Sequence, residues 1–230
     1  MAYDDLALLR TADDRWLTTL ASLAEPEVRE PSLLPSWSRA HVAAHVTLNG
    51  EAFRRVLTAV LAGEPASMYD SNEARDADIE ELSAAPLADL VARSRGVAGE
   101  LTALLGRLGP EHADVMVDRL AGVSGGVTFP ARGVLPRRLN EVWIHLADLG
   151  LPRATRADWP VEFTRALIAA RAARYPGWAF AATDLPDRWG EAGAPTLSGS
   201  AVDLAWWLTG RGDGEGLTSS TGALPEAPTY

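Results

Sequence analysis

The stretch at residues 39–45 is Arg39-Ala40-His41-Val42-Ala43-Ala44-His45, and it places two histidines four residues apart. A second stretch, Asn140-Glu141-Val142-Trp143-Ile144-His145, places a glutamate and a histidine at the same interval. Both lie in a helical pattern, and side chains four apart on a helix share one face. Three of the chain's four histidines fall in these stretches. Because two such helices can surround one divalent metal ion, the stretches indicate both helices and a candidate site.

These side chains match a metal site in kind, but their spacing leaves a structural role open. Imidazole and carboxylate are ordinary zinc ligands, and a catalytic zinc site has three protein ligands and one open position. His45 lies one turn beyond His41, so one of the two can bind the metal while the other lies at the rim. Alternatively, Glu141 and His145 form a solvated or capping pair, and the two upstream histidines form hydrogen bonds between helices. The interval is much less specific than a zincin motif.

The spacing of apolar residues predicts that the first part of the chain is mostly helical. Four helices are expected, at Leu6 to Leu23, Ser36 or Ser38 to about Gly63, Pro86 to Leu108, and Pro136 to Gly150. The polar segment 64–85 is predicted to be irregular and long enough to have a function. The later part should contain a helix at 158–174, a helix from Ser200 to Leu208 and a short strand at Gly216 to Thr221. We therefore predict an α+β chain with a helical domain at 1–150 and a small α+β domain at 151–230.

The composition excludes several classes of protein. The 230 residues are 47% hydrophobic and 23% charged, as in an ordinary globular protein. A net charge of −10 argues against nonspecific nucleic-acid binding, which depends on basic surface. No apolar run approaches the roughly 18 to 20 residues of a membrane span, and the acidic residues 1–5 do not resemble a signal peptide. We expect a cytoplasmic protein that binds neither nucleic acid nor membrane and, lacking an exposed heptad seam, is a monomer.

The chain contains no cysteine. This absence removes disulfides, thiolate metal ligands and cysteine nucleophiles together. If the reaction needs a thiol, the thiol must therefore come from a diffusible cofactor.

Several motifs in order along the chain resemble one known family, the mycothiol-dependent maleylpyruvate isomerases. They are the segment 33–46, Met68-Tyr69 with Glu73-Ala74-Arg75, Glu141 to His145 with Asp148-Leu149-Gly150, Gly210-Arg211-Gly212, and the segments 217–222 and 224–226. The resemblance runs nearly end to end and is weakest at about 113–132 and 179–195. It implies an α+β fold in which a DinB-like four-helix bundle precedes a smaller C-terminal α+β domain.

The resemblance also implies roles for individual residues. The metal ligands of the family fall on His45, Glu141 and His145, which would hold zinc or another divalent metal. His41 is not implied as a ligand. Arg211 matches an arginine implied in catalysis and substrate binding, and Arg75 matches a loop arginine that could bind a substrate carboxylate. Judged on the residues alone, both arginines could equally be surface residues balanced by neighbouring acids.

The implied reaction is the isomerisation of maleylpyruvate, a small dicarboxylate, to fumarylpyruvate in gentisate degradation, a route of aromatic catabolism. Rotation about a carbon–carbon double bond requires that the bond be broken transiently. A thiol can add to the alkene, allow rotation and be eliminated. Mycothiol is the thiol that the resemblance implies. The metal would activate the thiol or polarise the substrate carbonyl, and the sequence does not separate these two roles.

Two other functions fit the same residues. A mycothiol S-transferase would use the same metal and thiol on another electrophile. A noncatalytic zinc-binding module would close the site with four protein ligands, His41 included.

Overall fold

The computed structural model describes residues 6–123 and 125–226, and its contacts divide the chain into two compact units. The described part of the larger unit ends at Thr155, and the smaller unit begins at Arg156. Residues 1–5, whose acidic character argues against a signal peptide, lie outside the described residues. Helices and two small sheets confirm the α+β class. The assignment of 1–150 and 151–230 as separate domains remains a prediction, which separate expression of the two parts would test.

The larger unit is built on helices, and four long ones form a bundle. Its helices are α1 (Leu6–Ala21), α2 (Glu25–Arg29), α3 (Arg39–Ala62), α4 (Asn72–Ser83), α5 (Leu87–Leu105), α6 (Pro110–Ala113) and α7 (Val134–Asp148). In the bundle, α3 packs against α5 and α7, and α1 packs against the same two helices. Apolar side chains on the facing surfaces, such as Trp16 and Leu101, are buried and supply the hydrophobic stabilisation.

Helices α3 and α7, which carry residues 39–45 and 140–145, begin and end at recognisable sequence signals. Ser38 caps α3, its side chain accepting a hydrogen bond from the His41 amide, and Gly63 ends the helix with a left-handed φ of 74°. These are the predicted ends. Helix α7 begins at Val134, earlier than predicted, and Pro136 lies in its first turn, where a missing N–H breaks no helical hydrogen bond.

The prediction that segment 64–85 is irregular was wrong. The segment contains strand β1 (Ser67–Tyr69) and helix α4. Ser71 caps α4 by accepting a hydrogen bond from the Ala74 amide. Apolar burial on α4 is limited to Ile79 and Leu82, so its hydrophobic pattern is weak in the sequence. Packing against α3 supplies what the pattern lacks.

The larger unit also contains a small sheet that the sequence did not predict. Strand β1 pairs in parallel with β2 (Met116–Leu120), which pairs in antiparallel with β3 (Thr128–Pro130). The register places Tyr69 opposite Leu120. This pairing fixes β1, and therefore Tyr69, beside the bundle.

In its described residues, the smaller unit combines two α-helices and a short 3-10 helix (Arg156–Asp158) with a four-stranded sheet. Its elements are α8 (Val161–Ala172), β4 (Ala179–Ala182), β5 (Arg188–Gly190), β6 (Thr196–Gly199), α9 (Ala201–Leu208) and β7 (Thr218–Ser219). The strand order is β5-β4-β6-β7, with β4 and β6 parallel. Phe163, Phe180 and Leu197 form part of its buried core. The predicted helix starting after Ser200 is confirmed, and the predicted last strand is shorter than expected.

Within the described residues, no helix has both the length and the apolar character that a bilayer span would need.

Candidate metal centre

Three side chains from two bundle helices converge on one point. His45 comes from α3, and Glu141 and His145 lie one turn apart on α7. One potential ligand atom from each lies within 4.8 Å of the others. The two imidazole rings meet edge to face, with centroids 4.8 Å apart. The packing of α3 against α7 therefore brings together the residues that the sequence singled out.

The carboxylate of Glu141 lies between the two histidines. Its Oε2 atom is 2.9 Å from Nε2 of His45 and 3.4 Å from Nε2 of His145. The side chains of His45, His145 and Glu141 are 9%, 1% and 22% exposed, respectively. The cluster is thus largely withdrawn from water and opens to it mainly at the glutamate.

Asp148 fixes the orientation of His145. Its Oδ2 atom accepts a hydrogen bond from Nδ1 of His145 at 2.8 Å, and its side chain is fully buried. The bond keeps a proton on Nδ1 and orients the ring so that Nε2 faces Glu141. In the sequence, Asp148 belongs to a motif, but no role is predicted for it there. The signal was its position three residues after His145, on the same helix face.

Burial and hydrogen bonding set the protonation of the cluster. Burial lowers the pKa of His45, and the nearby Glu141 offsets only part of that effect. Burial would raise the pKa of Glu141, but hydrogen bonds from His145 and His45 outweigh it and hold the pKa well below the usual value. Burial would lower the pKa of His145, whereas its hydrogen bonds to Asp148 and Glu141 raise it. Neutral His45 and ionised Glu141 are the states in which these groups bind metals.

The arrangement fits a divalent metal ion. Two imidazoles and one carboxylate are a donor set typical of catalytic zinc, which leaves a position for another ligand. His41 does not join the set. Its Nδ1 is 2.7 Å from Oγ of Ser38 and its Nε2 is 3.3 Å from Oε2 of Glu80, so it belongs to the N-terminal cap of α3. Across the described ranges 6–123 and 125–226, the cluster has no fourth histidine or acidic ligand.

Arg75 lies at the edge of the cluster. It belongs to α4, and its Nη2 is 3.2 Å from Nδ1 of His45. Its Nη1 donates to Oδ1 of Asp76 at 2.6 Å, and its guanidinium lies 6.0 Å from the centroid of the Tyr69 ring. The structure therefore brings this predicted site residue to the cluster, on a helix that the sequence did not predict.

Arg211 lies in the smaller unit, in the loop after α9. The glycines on either side, Gly210 and Gly212, have φ values of 76° and 71°, which other residues rarely adopt. The side chain of Arg211 is buried, donates from Nη1 to the Thr209 carbonyl at 2.9 Å, and lies 5.8 Å from the Trp206 ring centroid. It is a fixed part of this loop and not a surface arginine.

Two further residues lie near the cluster, and the sequence predicts a role for neither. Trp37, just before the cap of α3, lies against His45 with ring centroids 5.5 Å apart and forms an apolar wall. Arg138, buried in α7, donates from Nη1 to the carbonyl of Val46 at 2.6 Å. Because Val46 follows His45, this bond ties α3 to α7 at the level of the cluster. A single buried arginine in a helical pattern gave no signal in the sequence.

Comparisons with known proteins find similarity to the family that the sequence motifs resemble. The family model described as the mycothiol maleylpyruvate isomerase N-terminal domain matches residues 9–150. The crystal structure of the mycothiol-dependent maleylpyruvate isomerase is similar to the chain at 29% identity and a TM-score of 0.83, covering 98% of this chain and 95% of that one. A histidine-to-alanine mutant of that enzyme gives the same values. No curated protein is similar enough to count as a match.

Proposed function

The chain belongs to the mycothiol maleylpyruvate isomerase family, and on that premise we propose that it is a mycothiol-dependent cis–trans isomerase that converts maleylpyruvate to fumarylpyruvate. The observation that carries the proposal is the convergence of His45, Glu141 and His145, whose ligand atoms lie within 4.8 Å of one another. The likeness to the solved isomerase, which extends over 98% of the chain, supports it.

We propose that His45, Glu141 and His145 hold zinc or another divalent metal. A divalent cation in this position would lower the pKa of a bound thiol or polarise a carbonyl oxygen. Asp148 keeps His145 in the tautomer that offers Nε2. The ring of Trp37 packs against the ring of His45. These residues hold the donor atoms ready before substrate arrives.

The thiol must come from outside the chain, because the chain has no cysteine. Mycothiol would supply a sulfur that adds reversibly to the alkene, so that the former double bond can rotate. We propose that Arg75 binds a substrate carboxylate, since its planar guanidinium can donate two parallel hydrogen bonds to such a group. Its position beside His45 supports this role.

We further propose that Arg211 is a catalytic and substrate-binding residue. The support is the resemblance of Gly210-Arg211-Gly212 to the corresponding family motif, together with the fixed conformation of this loop. A guanidinium is suited to stabilise the negative charge that builds on the keto oxygen during thiol addition. We also propose a monomer that acts in the cytoplasm, as the sequence predicts, and in gentisate degradation, as the family resemblance implies.

The test is to follow the isomerisation of maleylpyruvate optically, with zinc-loaded protein in the presence and absence of mycothiol. We expect turnover that requires the thiol. Turnover of a generic electrophile with mycothiol, but none of maleylpyruvate, would contradict the isomerase and favour an S-transferase. Arg211→Ala should keep its zinc and lose turnover; normal turnover in this variant would remove Arg211 from the mechanism.

A further inference from the structure

Two cavities in the larger unit are lined by Arg75, the residue that contacts the metal cluster at His45. Their volumes are about 440 and 530 Å³, within the range of small-ligand sites. Both are lined by Arg55, Tyr69, Arg75 and Asp78. Because Arg75 also contacts His45, these cavities lead from the cluster along α3. They are therefore positioned to hold the part of a ligand that extends away from the metal.

Arg55 lines both cavities and has no role in the function proposed above. It lies on α3, ten residues after His45, so their Cα atoms are about 15 Å apart along the helix axis. Its Nη2 donates to the Met68 carbonyl at 2.8 Å. Among the residues that the structure describes, no carboxylate forms an ion pair with Arg55, and the Met68 bond is its sole hydrogen bond. The guanidinium is thus anchored at one corner and retains donors for a ligand.

Neighbouring arginines differ from Arg55 in this respect. Arg54, the preceding residue, pairs through Nη1 with Oε2 of Glu100 at 2.7 Å. Arg93 donates from Nε and Nη2 to both oxygens of Glu51, at 2.6 and 2.8 Å. Each of these has a carboxylate partner within the protein. Arg55 is exposed and, among the residues that the structure describes, forms no ion pair with a carboxylate, so its guanidinium is accessible to the carboxylate of a ligand.

We propose that Arg55 binds the substrate carboxylate that lies far from the metal, while Arg75 binds the near one. The inference rests on the proposed function, because maleylpyruvate has a carboxylate at each end of its carbon chain. Two guanidinium groups lining one space, one beside the metal cluster and one farther along α3, suit such a dicarboxylate. Asp78 lines both cavities, and the other acidic lining residues are Asp70 in the smaller one and Glu51, Glu81 and Asp89 in the larger one, where Glu51 is paired with Arg93. Their negative charge opposes the anion and should limit the affinity.

The kinetic test compares Arg55→Met with Arg54→Met as a matched control on the same helix. Loss of a charge-assisted contact should raise KM for maleylpyruvate by about 10- to 100-fold, with kcat, KM for mycothiol and bound zinc unchanged within about twofold. Arg55→Lys should recover part of the loss, and Arg54→Met should leave KM unchanged. Asp78→Asn should lower KM. An unchanged KM in Arg55→Met, or a raised KM for mycothiol alone, would overturn the proposal.

A binding experiment separates this proposal from the isomerase assignment. Heptanedioate and heptanoate have carbon chains of equal length and differ in the second carboxylate, and neither has the alkene that reacts. Calorimetry on the zinc-loaded protein should show tighter binding of the dicarboxylate, and Arg55→Met should abolish that preference. Equal affinities in the unmodified protein would overturn the role of Arg55 even if maleylpyruvate is turned over. A preference that depends on Arg55 would support the role even if the isomerase assay fails.

Discussion

The two sides of the candidate site are built differently. The side formed by α3 and α7 lies in the bundle core, and its histidines are tied down by buried partners such as Asp148. The side formed by α4 carries Arg75 on a mostly exposed helix with little apolar burial. We infer that the proposed metal binding and the proposed substrate binding have largely separate structural supports, which meet at the contact between Arg75 and His45. Changes in the bundle should affect the metal and the stability, whereas changes on α4 should affect the substrate.

The largest effect is expected from removing a ligand. His45→Ala should abolish both stoichiometric zinc binding and isomerase activity, because two protein ligands remain where three converge. Metal content by elemental analysis, measured with activity on the same sample, checks this. His112→Ala is the matched control, because His112 lies on α6 and outside the cluster. Equal zinc content in the two variants would refute the ligand assignment.

A large loss of stability is expected from breaking the buried ion pair between Arg138 and Asp13. Nη2 of Arg138 lies 3.6 Å from Oδ1 of Asp13, and both residues are almost fully buried. Arg138→Met should therefore lower the free energy of unfolding by about 3–5 kcal/mol, because it leaves a buried charge without its partner. Urea unfolding measures the loss. The double variant with Asp13→Leu should recover most of it, and no recovery would show that the pair is not the cause.

The same pair predicts a pH dependence. Burial raises the pKa of Asp13 in the folded protein, and Arg138 partly offsets this rise. A raised folded pKa contributes stability that is present at low pH and is lost as the pH rises through that pKa. Without Arg138 the pKa should rise further. The penalty of Arg138→Met should accordingly shrink as the pH is lowered, and a penalty that grows instead would contradict the assignment.

A smaller effect on the metal side is expected from the residue behind His145. Asp148→Ala should weaken zinc binding by about 10- to 100-fold, because the ring of His145 loses the acceptor that orients it. Competition with a chelator measures the affinity. Asp148→Asn keeps an acceptor oxygen, so its zinc affinity should lie between that of the unmodified protein and that of Asp148→Ala. Unchanged affinity in Asp148→Ala would mean that packing alone orients the ring.

The smallest effect is expected on the α4 side. Arg75→Met should raise KM for maleylpyruvate by about tenfold through the loss of a charge-assisted contact. Zinc affinity should change less than in Asp148→Ala, because the contact between Arg75 and His45 is longer, at 3.2 Å, than the 2.8 Å bond between Asp148 and His145. Steady-state kinetics and chelator competition on one preparation check both effects. If zinc affinity instead falls as far as in Asp148→Ala, the two sides are not independent, and the comparison between them fails.

The sequence predicted the bundle side of the site better than the α4 side, for physical reasons. On a long helix the interval between His45 and its neighbours fixes which side chains share a face, so the convergence with Glu141 and His145 could be predicted. Their role as metal ligands remains a prediction. Helix α4 was missed because only Ile79 and Leu82 mark its buried face. The sheet beside it depends on a pairing between Ser67 and Asp118, and such distant partners leave no local signal.

The sequence also did not predict which charged side chains are buried and paired with one another. Arg138 and Asp13 lie on separate helices, and charged residues are normally exposed, so neither stood out in the sequence. Asp148 was visible as a residue three positions after His145 but had no predicted role. Side chains of this kind are recognised by what surrounds them, which only the packed bundle determines.

The most direct test of the metal-dependent isomerase is to remove the metal and restore it. The protein is stripped with a chelator and then titrated with zinc, while bound zinc and mycothiol-dependent isomerisation of maleylpyruvate are measured at each step. We expect activity to vanish in the stripped protein and to return in proportion to bound zinc, up to one ion per chain. Full activity in protein verified to be free of metal would contradict the account.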